Sequence, residues 1–259
     1  QMPVKKATES PELVVNKLDI QTVTLYLLGK TPFIFNRVSE KAKHELLMPR
    51  STGKKTAAEK AANLKHIPMD EFRNSMYRHR DDEHPTRLRF PGNAPKKAMA
   101  TAALDLPGLK KTQIGRLVWL PEGSIDIFGV PQILMSVVRS SDINRTPDIR
   151  TRAILPRWAC TITINCVQPI LQASSMANLL AAAGLLCGLG DWRQEKGSGN
   201  YGQFELVEKN DPRYTAIIQN EGRAAQDLAI ANPATYDDET DEMLTWFTAE
   251  ANRRQIKIA

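Results

Sequence analysis

The sequence predicts an α+β fold: a ferredoxin-like, RRM-type antiparallel sheet with two helices on one face. Three observations carry this. "LDIQTVTLYLLGKTPFIFN", "ACTITINCVQPIL" and "GQFELVE" have the alternating or β-branched character of strands, and "RLVWLPEGSIDIFGVPQILMSVVRS" holds two or three more. Two alanine-rich stretches, about Pro95 to Leu104 and "SSMANLLAAAGLLCGLG", read as helices. The resulting order is strand, helical insertion, helix, strand pair, helix, strand, which is the β-α-β-β-α-β arrangement of such a sheet.

Along the chain, residues 1–17 form a polar tail, and 18–210 hold the sheet domain. In the first strand Val23, Leu25 and Leu27 fall on one face and Thr22, Thr24 and Tyr26 on the other. The insertion, 37–97, opens with "SEKAKHELL" behind a Ser39 cap, and "TAAEKAANL" follows the break at Gly53. A short amphipathic helix, a charged loop and a Pro-Gly-Asn turn lead to the helix at Pro95. Turns at Pro121 to Gly123 and Gly129 to Pro131 divide the next strands, and a basic connector, 139–157, follows them. The second core helix opens on a Ser174 or Ser175 cap. Residues 211–259 form an acidic-start helical segment that packs Leu244 and Trp246 on the core.

A hydrophobic share of 42% and a charged share of 25% fit a folded globular protein rather than a disordered one. No apolar run approaches the roughly 20 residues of a membrane span, and the start lacks a signal-peptide core, so an intracellular, cytoplasmic protein without membrane contact is expected. Cys160, Cys166 and Cys187 are odd in number, lie in apolar surroundings and lack C-x-x-C spacing. They read as buried thiols, and neither a disulfide framework nor a metal site or cofactor is expected. The net charge of +6 is unevenly spread: Asn36 to Arg116 carries 18 Lys and Arg against 9 Asp and Glu, whereas Glu208 to Ala259 carries 6 against 10. That asymmetry suggests a polyanion on one face, with ordinary solvated helices as the alternative.

"GLGDWRQEKGSGNYGQFELV" places five of fourteen glycines within fifteen residues, between the second helix and the last strand. Its order, helix then loop then strand, excludes a P-loop and a dinucleotide fingerprint, both of which need strand then loop then helix. Gly188 and Gly190 suit a helix terminus, while Gly197, Gly199 and Gly202 let the backbone approach something bulky. Trp192, Arg193, Lys196 and Tyr201 are residue types that stack on bases and pair with phosphates. A turn-rich connector is the alternative, and Glu195 is an acidic residue that phosphate binding does not select.

With its G-x-G, polar stretch and second G-x-G-x-x-G leading into the last strand, this loop resembles that of the RAMP (repeat-associated mysterious protein) superfamily of CRISPR systems. In layout the chain is most similar to the backbone subunit of Cascade-type interference complexes. The resemblance implies a palm of RRM type, a helical insertion after the first strand, a thumb-like hairpin at 139–157, and a non-catalytic subunit that oligomerises along a guide RNA. It would place Gly188, Gly190, Arg193, Lys196, Gly197, Gly199 and Gly202 on the RNA-facing loop and Arg139, Arg145, Arg150 and Arg152 on or near the thumb. Arg37 and Lys41 of the basic insertion join the nucleic-acid-binding set, and other subunits of a ribonucleoprotein are the implied partners.

The connector "VVRSSDINRTPDIRTRAILPRW" sets five arginines against Asp142 and Asp148. Arginine can pair bidentately with phosphate or stack on a base, so this segment is an electrostatic candidate for gripping a strand, RNA or DNA. Some RAMP proteins cut RNA through a histidine, and His79 and His84, flanking "RDDE", are the weak catalytic candidates here. Consecutive carboxylates point different ways, so "HRDDEH" is not read as a metal site, and the histidines read as surface residues of a charged loop. An independent viral or mobile-element single-strand binder and an endoribonuclease remain the alternatives.

Overall fold

The computed structural model describes residues 16–38, 40–48, 65–139, 146–196 and 199–256. The first half comprises β1 (Asp19–Gly29), β2 (Phe33–Ile34), α1 (Glu40–Leu47), α2 (Pro68–Ser75), β3 (Tyr77–Arg78), β4 (Leu88–Pro91), α3 (Asn93–Ala102), α4 (Lys111–Leu117), β5 (Val118–Trp119) and β6 (Ser124–Asp126). The second comprises β7 (Gln132–Arg139), β8 (Pro147–Leu155), β9 (Ala159–Gln168), α5 (Ala173–Leu186), β10 (Phe204–Val207), α6 (Pro212–Asn220), α7 (Arg223–Ala231) and α8 (Asp238–Arg253). The Ser39 cap, the "TAAEKAANL" helix, Arg145, Gly197 and the side chain of Lys41 lie outside the described residues.

A four-stranded sheet in the order β10-β1-β9-β5 forms the centre, with every neighbouring pair antiparallel. Helix α3 lies between β1 and β5 in the chain and α5 between β9 and β10. Counting only these strands, the spatial order is fourth, first, third, second, which is the ferredoxin-like arrangement, and the chain is α+β. The alternation in the sequence sets the faces. Leu27, Cys160, Ile162, Ile164 and Cys166 turn inward onto Met99, Met176, Leu179 and Leu180 of the two helices. Each such aliphatic side chain contributes about 1.5–3 kcal/mol by leaving water. The other face carries Thr22, Thr24, Tyr26, Thr161, Thr163 and Asn165, and α6 covers part of it, with Tyr214 edge-on to Tyr26 at 5.5 Å.

Two smaller sheets extend the centre. In the first, β2-β8-β7, α2 packs on β8, and the buried Ser75 hydroxyl accepts from the Ala153 amide (2.9 Å) while donating to the Phe72 carbonyl (2.7 Å). On β7, the buried Thr240 hydroxyl of α8 accepts from the Met135 amide at 3.1 Å. The second, β3-β4-β6, is braced by the fully buried Gln226 of α7. Its carbonyl oxygen accepts from the Arg87 and Leu88 amides (2.7 and 3.0 Å), and its amide donates to the Ile127 and Gly129 carbonyls (2.8 and 3.1 Å).

Several expectations need correction. The insertion is not wholly helical, because β3 and β4 form a hairpin within it. The 139–157 connector is β in character as expected, its larger part being β8, paired with β7 from Gln132 to Arg139. Helix α5 begins at Ala173 behind Gln172, so Ser174 and Ser175 sit in its first turn and do not cap it. Beyond Asp211 there are three helices, and while Leu244 packs on the core, Trp246 is 67% exposed. All three cysteines are buried and free, and burial pushes the Cys187 thiol up to about 11. Among the described residues no helix is long and apolar enough to cross a membrane.

Candidate nucleic-acid interface

The glycine loop is organised by its own backbone. Helix α5 ends with the Gly188 amide bonded to the Ala183 carbonyl at 2.9 Å, and the loop closes at its neck where Leu189 N donates to Gly202 O at 2.8 Å. Gly202 N and Asp191 N then donate to Pro32 O and Ile34 O at 2.8 and 2.9 Å, fastening the loop to β2 and the residue before it. Gly188, Gly190 and Gly202 have φ of 72°, 84° and 76°, the left-handed region where a Cβ is strained. A Cβ at Gly190 would approach Ile34 O to 2.6 Å, and one at Gly199 would approach Trp192 O to 2.0 Å. The bulky neighbour that these glycines admit is therefore the chain itself.

Trp192 packs with Tyr201 and Tyr236 on the Ile34, Leu134 and Ile154 cluster, and the Arg152 guanidinium lies 6.0 Å above its ring. It is a core anchor, not an open stacking platform. Glu195 also has a place: its carboxylate lies between Arg193 (3.3 Å) and Lys196 (3.7 Å) and offsets both charges. Of these two cations, Lys196 is the one that reaches solvent.

The hairpin arginines separate into two kinds. Arg139 and Arg150 are exposed, with Arg150 opposite Ser136 in register. Arg152 faces inward, paired with Asp191 over Trp192, and burial pushes its guanidinium down to about 10. Arg157 pairs with the buried Glu221.

Among the described residues, a second group of arginines lies elsewhere. Strands β3 and β4 pair so that Arg78 and Tyr77 oppose Leu88 and Arg89, and His79 N bonds to Arg87 O at 2.9 Å. Together with the segment at Arg37 they wall a cleft of ≈ 650 Å³ lined by Arg37, Arg78, Arg80, Arg87 and Arg89, against two carboxylates, Glu40 and Asp227. Arg37 pairs with Glu40, and Arg87 holds Asp227 through two bonds of 2.7 and 3.1 Å. Among the described residues no carboxylate lies within ion-pair reach of Arg78, Arg80 or Arg89. Desolvation in the cleft, then repulsion from Arg37, Arg87 and Arg73, holds the Arg78 guanidinium below its ordinary value. Like charges gathered without counterions raise the free energy of the empty cleft, and a phosphate seated between them relieves it. Arg37 also lines a second groove that contains Arg150 and Arg152 together with Glu71 and Asp148, so a groove of mixed charge leads from the cleft to the hairpin. The sequence signal was the spacing in "YRHRDDEHPTRLRF", with arginines at i and i+2 on each arm of a turn.

His79 and His84 are not the surface pair expected. His79 is 7% exposed, its Nε2 lies 2.7 Å from Asp126 Oδ1, and its ring stacks on His84 with centroids 3.5 Å apart. Burial holds the His79 imidazole below its ordinary value.

No family model and no curated protein matches the chain. A chain from the cryo-EM structure of the Type III-B Cmr-beta bound to cognate target RNA aligns with this one at 10% identity and a TM-score of 0.38. The alignment covers 73% of the present chain and 59% of that chain. The fold and the cleft together define a ferredoxin-like α+β protein with an arginine-lined cleft.

Proposed function

We propose that the protein binds single-stranded RNA without cleaving it, as a subunit that oligomerises along a guide RNA in a CRISPR-type ribonucleoprotein. The observation that carries this reading is the arginine cleft, where five guanidiniums face two carboxylates. Planar guanidiniums suit phosphate oxygens, which they meet in pairs, and a flexible single strand can follow the curved path from the cleft past Arg37 to Arg150. The face of the central sheet away from its two helices supports a grip outside it, because β1, β9 and β10 place no basic side chain there. The glycine loop's resemblance to RAMP proteins supplies the guide-RNA setting.

The test is to purify the untagged protein, extract and sequence the nucleic acid that accompanies it, and measure its mass by light scattering before and after ribonuclease treatment. RNA of uniform short length and a large particle that shrinks on digestion are expected. A monomer free of nucleic acid that shows no salt-dependent affinity for single strands overturns the reading. Accompanying DNA would point instead to an independent single-strand binder.

A further inference from the structure

We infer that His79, His84 and Asp126 form a binding site for a divalent transition-metal ion of the zinc class. One ligand atom from each, a ring nitrogen from either histidine and a carboxylate oxygen, lie within 4.8 Å of one another. Asp126 Oδ1 is 2.7 Å from His79 Nε2 and 3.4 Å from His84 Nδ1. Ligands about 2.0–2.1 Å from a tetrahedral zinc stand about 3.3 Å apart, so one distance already fits and the other opens when metal bonds replace the hydrogen bond.

The support is stiff on two sides. Asp126 belongs to β6, whose partner β4 pairs in turn with β3, the strand that leads into His79. His84 stands across the turn formed by residues 80–83, and its other nitrogen faces Asp81 Oδ1 at 3.9 Å. A carboxylate hydrogen-bonded behind a ligating imidazole fixes the ring and its tautomer, and Asp81 stands just beyond that reach. A hydrogen bond to Asp126 accounts for His79 alone; the His84 ring stacks on His79 15° from parallel, and because each lone pair lies in its own ring plane, the partly exposed His84 turns out of the stack to bring its nitrogen onto the same ion. Arg89, opposite Asp126 in register, directs its Nε to the Arg78 carbonyl at 3.3 Å.

The donor set selects the ion. Two imidazoles and one carboxylate suit zinc and its first-row neighbours, while calcium and magnesium require oxygen-rich shells. Three protein ligands leave a fourth position for water on the side of the partly exposed His84. Bound there, the ion would clip the 80–83 turn, which carries Arg80, onto β6 beside the arginine cleft. This inference does not rest on the nucleic-acid reading: His79 lines the arginine cleft, but zinc retention is measured with no nucleic acid present.

The test uses full-length untagged protein, stripped with chelator and titrated with zinc, with cobalt as the spectroscopic probe. One equivalent of zinc retained through gel filtration, a visible four-coordinate cobalt spectrum and a rise in Tm are expected. His84→Ala should weaken binding about a hundredfold or more and abolish the cobalt bands; Asp126→Asn should do the same. Because His79 is buried, His84→Ala is the decisive variant, with circular dichroism confirming its fold. Wild-type protein that retains no stoichiometric zinc overturns the inference, as does undiminished binding by His84→Ala.

Discussion

Gly202 is locked against Leu189: the Leu189 amide donates to the Gly202 carbonyl at 2.8 Å, and a Cβ on Gly202 would fall 1.7 Å from the Leu189 carbonyl oxygen. Backbone on both sides leaves no flexible atom to move. Gly202→Ala combines this clash with a left-handed φ of 76°, and should destabilise the protein by about 2–4 kcal/mol in urea unfolding. Gly115, inside α4 with nothing within 4 Å of where a Cβ would stand, provides the contrast. Gly115→Ala should stabilise by about 0.5–1 kcal/mol in the same measurement, since a helix interior disfavours glycine.

Gln226 gives the second prediction. It serves the amides of Leu88 in β4 and of Arg87 just before it, and two carbonyls beyond β6, from a fully buried position, so Gln226→Leu strands four backbone groups without water. The expected loss is about 2–4 kcal/mol, read as a lower urea midpoint with an unchanged slope. An unchanged midpoint would mean that β4 holds its place without this brace.

What the sequence made legible was the centre of the fold. The alternation in "TVTLYLL" separates the two faces of β1, and the alanine-rich α3 and α5 lie where helical spacing put them. What it hid depends on short or distant pairing. Strand β3 spans two residues and β4 four, too few for a periodic signal to emerge, so the hairpin that carries the arginines read as loop. Arg37 reaches the cleft from a segment some forty residues before Arg78, and only the fold shows them together. The glycine loop misled in a specific way: close backbone approach was the right requirement, but its partner is the chain's own backbone at Ile34, Trp192 and Leu189.

Asp191 tests whether the loop and the hairpin form one unit. Its carboxylate is the counterion of Arg152, which lies over Trp192 and is largely removed from water. Asp191→Ala should leave that guanidinium unpaired and lower stability by about 1–3 kcal/mol, and Arg152→Met, which keeps an apolar cover on the indole, should cost less. If the two variants are equally destabilised, the ion pair is not the link. Tryptophan fluorescence offers an independent reading of the Trp192 environment.

The arginine cleft yields predictions of opposite sign, which separate a phosphate site from a merely structural charge cluster. Arg78→Gln, Arg80→Gln and Arg89→Gln together remove three of the five guanidiniums, those without a carboxylate partner among the described residues. Affinity for single-stranded RNA, followed by fluorescence anisotropy, should fall on the order of a hundredfold near 0.1 M salt, and the log-log salt slope should flatten by about 2. Asp227→Asn works in reverse. Arg87 holds that carboxylate below its usual range, so it stays ionised from pH 5 to 8, and its removal adds a net positive charge to the cleft across that whole interval. Affinity should therefore rise severalfold at low salt, with a slope steeper by up to about 0.7, even as the loss of the Arg87 pair slightly lowers stability. A cluster that served folding alone would move stability in both variants and binding in neither.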